Sequence, residues 1–204
     1  TDKGAQLGGM LAEKMDCTAQ KPPKGELASL TEKLFHEADA LIFIGACGIA
    51  VRAIAPLIVS KTSDPAVIVL DEQGKHVISL LSGHIGGAND LARRIAGYTG
   101  GEAVITTATD VNGRFSVDAW AVKHSCVIDS MEHAKEYAAS ILKRDLPLVS
   151  DFEICGELPG GVFAGDEGAC GAAISVRTDA FPFDTTLRLI PRILHIGVGC
   201  KRGT

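Results

Sequence analysis

Four short apolar runs, separated by segments of helical periodicity, constrain the fold of this chain more than any other feature. The runs are ALIFIG (40–45), AVIVLD (66–71), HVISLL (76–81) and AVITT (103–107). Apolar runs of this length that are bounded by Gly or polar residues are typical of buried strands. Because helical patterns alternate with them, the first half of the chain is predicted to form an α/β sheet.

The segments around these runs complete the prediction for the first half. Helical patterns cover 5–15, 27–38, 49–58 and 88–98. The EQGK sequence between the second and third runs has the composition of a hairpin turn. We therefore predict a three-layer α/β/α amino-terminal domain with a mainly parallel sheet over residues 1–115.

The second half has a different pattern of predicted helices and strands. SMEHAKEYAASILKRD (130–145) is an amphipathic helix that begins with a Ser cap, and SVDAWAVKH (116–124) is a further helix. PLVSD, GVFAG and AAISVRT are short predicted strands with Gly-rich turns. These patterns predict a smaller α/β middle domain over 116–191, and ILHIGVGCKRGT (192–204) is expected to open a truncated carboxy-terminal domain.

Composition excludes several classes of function. The net charge is −5 with both signs interspersed, so neither nucleic acid nor a membrane surface is an expected partner. No apolar run approaches the roughly 20 residues that span a bilayer. The six cysteines are scattered without a C-x-x-C pair, which is typical of reduced thiols in the cytoplasm. No HExxH or other metal-ligand spacing occurs, so no metal site is predicted.

One loop, SGHIGGAN, follows a predicted strand and opens a predicted helix. Its glycines allow close approach of backbone, and the free N–H groups of a helix start attract anions. A tight turn with a Ser or Asn cap is the alternative, and the two stay open. The candidate substrate-binding residues here are Ser82, Gly83, Gly86, Gly87 and Asn89.

His84 lies inside this loop and is the leading candidate for chemistry. It is either a proton-handling group or a side chain that hydrogen-bonds the loop backbone. A second polar segment, TTATDVNG, places Thr106, Thr107 and Asp110 after a strand end. They are either ligand contacts, with Asp110 a possible base, or members of Asx and Ser/Thr turns.

A third glycine-containing turn, GACGIAVR, contributes Gly48 and Arg52. If its strand is parallel to the one before His84, both turns open on the same sheet edge, where α/β sheets bind ligands. Arg52 is then expected in the first helical turn, where it could bind a carboxylate through two hydrogen bonds. The alternative is that Arg52 forms an ion pair at the protein surface. Lys61 lies in a loop with Asp64. This loop either contacts a polar ligand or is a simple Asp-Pro turn.

Several motifs of the sequence resemble those of a known protein family. GIAVRAIAPLIVSKTSDPAVIVLDEQGKHVISLLSGHIGGANDLARRIA, followed by VITTATDVNG, closely resembles the amino-terminal domain of the cobalt-precorrin-5A hydrolase family, CbiG. The similarity covers about residues 41–120. Residues 120–190 are similar to the family's middle region, and ILHIGVGCKRGT is similar to the start of its carboxy-terminal domain.

The resemblance implies an activity in anaerobic cobalamin biosynthesis. The family opens the ring A δ-lactone of cobalt-precorrin-5A and releases acetaldehyde, giving cobalt-precorrin-5B. The tetrapyrrole (corrinoid) substrate carries its own cobalt, so no cofactor is expected. His84 is the predicted proton-handling group, the N–H groups of Gly86 and Gly87 are predicted to face the oxyanion, and Asp110 is the reserve base.

Two other classes of protein stay open at this point. The chain could be a non-catalytic corrinoid-binding or carrier module, or a structural partner of other enzymes in the cobalamin pathway. Release of acetaldehyde distinguishes the hydrolase from both. The sequence specifies no oligomeric state.

Overall fold

The structure, a computed structural model, describes residues 1–178 and 180–193. Contacts between residues divide the chain into two compact units, Thr1–Val111 and the residues from Asn112 onward. Among the helices in the described part of the chain, none combines the length and the apolar character needed to cross a membrane.

The first unit alternates helices and strands. Its elements are α1 (Asp2–Met15), α2 (Leu27–Glu37), β1 (Ala40–Ile44), α3 (Cys47–Ile54), a 3-10 turn (Ala55–Leu57), β2 (Ala66–Leu70), β3 (His76–Leu81), α4 (Ala88–Thr99), β4 (Glu102–Val104) and α5 (Ala108–Val111). The strands form one sheet in the order β1-β2-β3-β4. The predicted joining of the four apolar runs in a single sheet is confirmed.

Helices cover both faces of this sheet. All five residues of β2 are buried, and successive side chains of a strand point to opposite faces. Ile68 and Leu70 pack in one apolar cluster with α1 and α4, whereas Val67 packs in another with α2 and α3. The predicted three-layer α/β/α arrangement is confirmed, and burial on two faces explains why β2 is an unbroken apolar run.

Local chemistry determines where the neighbouring helices end. Gly100 adopts a left-handed φ of 70° as the C-cap of α4, a conformation that glycine adopts without steric cost. The regular part of α3 ends at Ile54, and Pro56 lies in the 3-10 turn that follows. Proline lacks the N–H that a continuing helix needs, so the chain leaves α3 there.

The strand directions decide which loops can meet. β1 pairs parallel with β2, β2 antiparallel with β3, and β3 parallel with β4. β3 and β4 therefore end at the edge where β1 and β2 begin, which we call the His84 edge. β1 and β2 end at the opposite edge, which we call the Gly45 edge.

The second unit is a smaller α/β arrangement, as predicted. Its elements are α6 (Val117–Lys123), β5 (Cys126–Ile128), α7 (Met131–Ile141), β6 (Leu146–Ser150), β7 (Val162–Ala164), β8 (Cys170–Ile174) and β9 (Thr185–Pro191). The strand order is β5-β9-β8-β6-β7, and every pairing is parallel except that of β5 with β9. Tyr137 and Ile141 of α7 pack against Leu148 and Leu187 of the sheet in its main apolar cluster.

The strands of the second unit match the sequence prediction in part. The three predicted strands correspond to β6, β7 and β8, whereas β5 and β9 were not predicted. The start of a truncated carboxy-terminal domain, predicted at 192–204, lies outside the described residues from position 194 onward.

Candidate functional site

His84 and Asp110 form a pair at the His84 edge. The imidazole Nε2 lies 2.9 Å from Asp110 Oδ2, and the hydroxyl of Thr109 lies 3.3 Å from the same nitrogen. His84 follows β3 in the chain and Asp110 follows β4, so the parallel pairing of these strands delivers both side chains to one place. The side chains are 20% and 15% exposed, respectively, so the pair is shielded but reaches the surface.

The Asp110 carboxylate accepts hydrogen bonds at both oxygens. Oδ2 accepts from Thr107 Oγ1 at 2.7 Å and from Asn89 Nδ2 at 3.0 Å, and Oδ1 accepts from the Arg93 guanidinium. Burial alone would raise the pKa of Asp110, but hydrogen bonds from Thr107, Arg93 and His84 and the charge of Arg93 lower it to about 2. The carboxylate is therefore ionised near neutral pH, and its partner Nε2 carries the ring proton.

Asn89 links the pair to the sheet. Ser79 of β3 donates to Asn89 Oδ1 at 2.7 Å, which directs the amide nitrogen toward Thr107 and Asp110. Asn89 is buried. Because each polar atom of this buried amide has a partner, its orientation is well determined.

Arg93 is a site residue that the sequence prediction missed. Besides Asp110, its guanidinium binds Asp90 on the same helix at 2.8 Å. The hydrogen bond to Asp110 raises the pKa of Arg93 above its usual value, burial partly opposes this, and the charge of Asp110 and the contact with Asp90 raise the pKa further. A signal was present in the sequence, since Arg93 follows Asn89 by four residues and such residues share one face of a helix.

The predicted oxyanion contact from Gly87 does not hold. Its N–H donates to the His84 carbonyl at 2.9 Å, and the next two N–H groups donate to the carbonyls of Ser82 and Gly83. The start of α4 is thus satisfied by the loop that precedes it, and neither a Ser nor an Asn side chain caps it. The loop acts as a compact support for His84.

The glycines of the loop allow it to pack against itself. A Cβ at Gly86 would lie 2.4 Å from Ser82 Cβ, and one at Gly83 would lie 2.8 Å from Asn89 Oδ1. These separations are far below van der Waals contact, so any side chain would force the backbone apart. Ser82 itself has a left-handed φ of 57°, and its hydroxyl donates to the Asp64 carbonyl at 3.0 Å.

Gly48 and Arg52 lie apart from the other predicted site residues. They belong to α3, which begins at the Gly45 edge, because the β1–β2 pair runs antiparallel to β3. Arg52 is also in the last turn of α3 rather than the first, and its Nη1 donates to the Gly48 carbonyl at 3.2 Å. The predicted convergence of Gly45–Arg52 with the two other segments is therefore wrong.

The remaining predicted residues lie at or next to the His84 edge. Lys61 is exposed in the turn before β2, and Thr106 is exposed after β4. The Asp64 carboxylate accepts from the N–H groups of Val59 and Ser60, at 3.0 and 3.1 Å. Asp64 thus stabilises this turn, as the Asp-Pro alternative proposed.

Side chains of the types that bind metals are dispersed over the described part of the chain. Within residues 1–178 and 180–193, no group of three or more His, Cys, Asp or Glu side chains could hold a metal ion. Five cysteines in this part of the chain, at positions 17, 47, 126, 155 and 170, are free thiols.

Fold and site together define an α/β protein whose first unit holds a carboxylate-oriented histidine where two parallel strands end. Residues 29–110, which include both members of the pair, match the family model described as "Cobalamin synthesis G N-terminal". This stretch of the chain is thus similar to the cobalamin synthesis G (CbiG) family, as the sequence resemblance predicted.

Relatives match over most of the chain. A cobalt-precorrin-5A hydrolase from Salmonella typhimurium is 39% identical over 197 residues, covering 90% of this chain and 56% of the relative. One from Priestia megaterium is 32% identical over 200 residues, covering 88% of this chain and 53% of the relative. The chain therefore spans about half the length of these two relatives.

A solved structure supports the fold. The crystal structure of a cobalamin biosynthesis protein G homologue from Sulfolobus solfataricus matches with a TM-score of 0.58 and 22% identity. The match covers 94% of this chain and 58% of that one.

Proposed function

We propose that this chain acts in a cobalt-precorrin-5A hydrolase, which opens the ring A δ-lactone of a cobalt corrinoid and releases acetaldehyde. The observation that carries the proposal is the His84–Asp110 pair, 2.9 Å apart, inside the residues that match the family model. Two relatives bear the name of this hydrolase. A histidine oriented by a carboxylate is suited to activating water for ester hydrolysis.

His84 is the proposed proton-transfer group. Asp110 orients the imidazole ring through its contact with Nε2. The imidazole removes a proton from water as the water oxygen attacks the lactone carbonyl carbon. The carbon–oxygen bond of the lactone then breaks, and the imidazolium returns the proton to the leaving oxygen. The freed hydroxyl group then loses its proton as the carbon–carbon bond to the macrocycle breaks, so that the two-carbon unit leaves as acetaldehyde and the macrocycle carbon takes up a proton.

Asp110 is proposed to orient the imidazole rather than act as a base. Its pKa of about 2 makes it a weak proton acceptor near neutral pH, and its oxygens already accept from Thr107, Arg93 and His84. An ionised carboxylate in this position also stabilises the imidazolium that forms during the reaction. This role differs from that of the reserve base predicted from the sequence.

Other features of the proposal come from the family and stay predictions. Cobalt enters with the substrate, and no resident cofactor is required. The reaction takes place in the cytoplasm, and other enzymes of the cobalamin pathway are candidate partners. Lys61 and Thr106, both exposed, are the predicted residues whose positions suit contact with the carboxylate fringe of the substrate.

Acetaldehyde release tests the proposal directly. The purified protein is incubated with cobalt-precorrin-5A, and acetaldehyde is trapped as a hydrazone. His84→Asn removes the base while retaining size, so we expect turnover to fall by about 10²-fold or more. His76→Asn is the matched control, because His76 is an exposed histidine at the opposite end of β3.

The outcomes separate the classes of function. Acetaldehyde from the parent and the His76 variant, with little from the His84 variant, supports the hydrolase. Tight binding of the corrinoid without acetaldehyde from any variant would instead identify a carrier. Parental turnover in the His84 variant would remove His84 from the mechanism.

A further inference from the structure

An open depression of about 530 Å³ lies at the His84 edge. It is enclosed by the end of α2, the segment from the 3-10 turn to β2, and the loop that carries His84. Its apolar lining includes Phe35, Leu57, Val59, Pro65 and Ile85. A volume of this size is within the range of small-molecule sites, which is about 300–1,000 Å³.

One wall of the depression belongs to the loop that carries His84. Ile85 and Gly86 contribute to its wall, and both follow His84 directly in the chain. The loop cannot shift easily, since Gly86 packs against Ser82 and the loop carbonyls accept from the start of α4. A ligand in the depression would therefore contact Ile85, the residue that follows His84 in the chain.

The apolar residues of the lining differ in how much of their surface a ligand could cover. Phe35 is buried at 4% exposure, and Pro65 is also buried. Val59, in contrast, is 80% exposed, although it is an aliphatic residue in a turn that Asp64 rigidifies. A ligand that covered Val59 would remove this apolar surface from water, which favours binding.

The charges at the depression restrict how such a ligand can lie. Glu37 and Asp39 line the side formed by the end of α2, and both residues are exposed. Carboxylates on the ligand would be repelled there, because like charges raise the free energy of association. The Asp64 carboxylate is occupied by N–H groups of its own turn. An apolar ring face thus suits this side better than a carboxylate fringe.

We propose that the depression seats the apolar face of the corrinoid macrocycle, with the carboxylate fringe turned away from Glu37 and Asp39. The inference rests on the proposed function for the identity of the ligand. It adds Val59 and Ile85 as substrate-contacting residues that the sequence motifs did not indicate.

Binding of cobalt-precorrin-5A to variants tests the inference. Val59→Asn places a polar side chain against the macrocycle while retaining the backbone N–H that donates to Asp64. We expect the dissociation constant, measured by the visible absorption of the corrinoid, to rise about tenfold, since a lost aliphatic contact is worth about that factor. Ile49→Asn is the matched control, because Ile49 is a 51% exposed aliphatic residue of α3, the helix that begins at the Gly45 edge.

Thermal unfolding of each variant confirms that the fold is retained, and Val59→Ala provides a second, smaller change at the same position. Weakened binding in both Val59 variants, with parental binding in the Ile49 variant, supports the depression as the binding site of the macrocycle. Equal dissociation constants in all four proteins, or equal weakening at Val59 and Ile49, would overturn it without affecting the hydrolase proposal. Binding that depends on Val59, without release of acetaldehyde, would support the proposed binding site and contradict the proposed hydrolase activity.

Discussion

His84 and Asp110 are 26 residues apart in the sequence, yet Nε2 and Oδ2 are 2.9 Å apart in the structure. The cause is the unit formed by β3, α4 and β4, in which the helix returns the chain so that the two strands run parallel. The ends of both strands then lie at one edge, and α4 adds Asn89 and Arg93 from the side. The geometry of the pair is thus a property of three elements together.

Asp110→Asn should leave the fold intact and strongly reduce turnover. The amide is nearly isosteric with the carboxylate, but it is neutral and cannot stabilise an imidazolium. We expect kcat for acetaldehyde release to fall by about 10²-fold or more, with KM little changed. Steady-state kinetics of the parent and the variant measure both values. Parental kcat in the variant would show that the carboxylate has no part in the reaction.

The same substitution should change how stability depends on acid. The pKa of Asp110 is lowered from 3.8 to about 2 in the folded protein, so ionised Asp110 stabilises the fold relative to the unfolded chain. This contribution is fully present above the unfolded pKa, and it disappears as the pH falls through the folded pKa. The melting temperature of Asp110→Asn should therefore be lower than that of the parent above about pH 4, and the two should converge toward pH 2.

Differential scanning calorimetry between pH 7 and pH 2 provides the comparison. Other carboxylates titrate in the same range, but they are common to both proteins and cancel in the difference. A difference in melting temperature that stays constant with pH would contradict the assigned pKa.

The layers of the first unit could be predicted because a strand that is buried on both faces is apolar at every position. β2 is covered on both faces, and its five residues form a continuous apolar run. The placement of Gly48 and Arg52 failed although the necessary clue was available. A hairpin between β2 and β3, itself predicted from EQGK, reverses the chain and sends the ends of β1 and β3 to opposite edges.

Other parts of the structure correspond to weaker patterns in the sequence. β5 has only three residues, and β9 carries an arginine among its threonines and leucines, so neither forms an apolar run long enough to predict a strand. The pairing of His84 with Asp110 depends on tertiary structure, and no local spacing encodes it. Arg93 is different, since its distance of four residues from Asn89 on α4 indicates a shared face.

Arg93→Ala should lower turnover without preventing substrate binding. Arg93 holds Oδ1 of Asp110, so its loss leaves the carboxylate less firmly oriented toward His84. We expect kcat to fall about tenfold, consistent with loss of a positioning group, and KM to change little. Arg94→Ala is the matched control, because Arg94 is the adjacent exposed arginine of α4.

Arg93→Lys adds a second test of the geometry. Lysine keeps the charge but lacks the planar fork that bridges Asp90 and Asp110, so it should restore only part of the activity. Equal kinetics for the Arg93 and Arg94 alanine variants would show that Arg93 is only a surface residue.

Gly86 and Gly87 should respond to substitution in different ways. A Cβ at Gly86 would lie 2.4 Å from Ser82 Cβ and 2.9 Å from the Ser82 carbonyl. Gly86→Ala therefore overpacks the loop, and we expect it to cost about 3 kcal/mol in the free energy of unfolding and to displace His84. At Gly87, no atom among the described residues lies within 4 Å of the position that a Cβ would occupy, but φ is +78°. Gly87→Ala should cost about 1–2 kcal/mol from backbone strain alone.

Two asparagine variants distinguish backbone strain from crowding at these two positions. Asparagine tolerates the left-handed conformation better than alanine does, so Gly87→Asn should regain part of the stability lost in Gly87→Ala. Gly86→Asn should regain none, because the obstacle there is Ser82 itself. Urea unfolding of the four variants gives the comparison, and acetaldehyde release shows whether the loop still presents His84. If alanine at Gly86 were tolerated as well as at Gly87, close packing against Ser82 would not be what holds the loop in place.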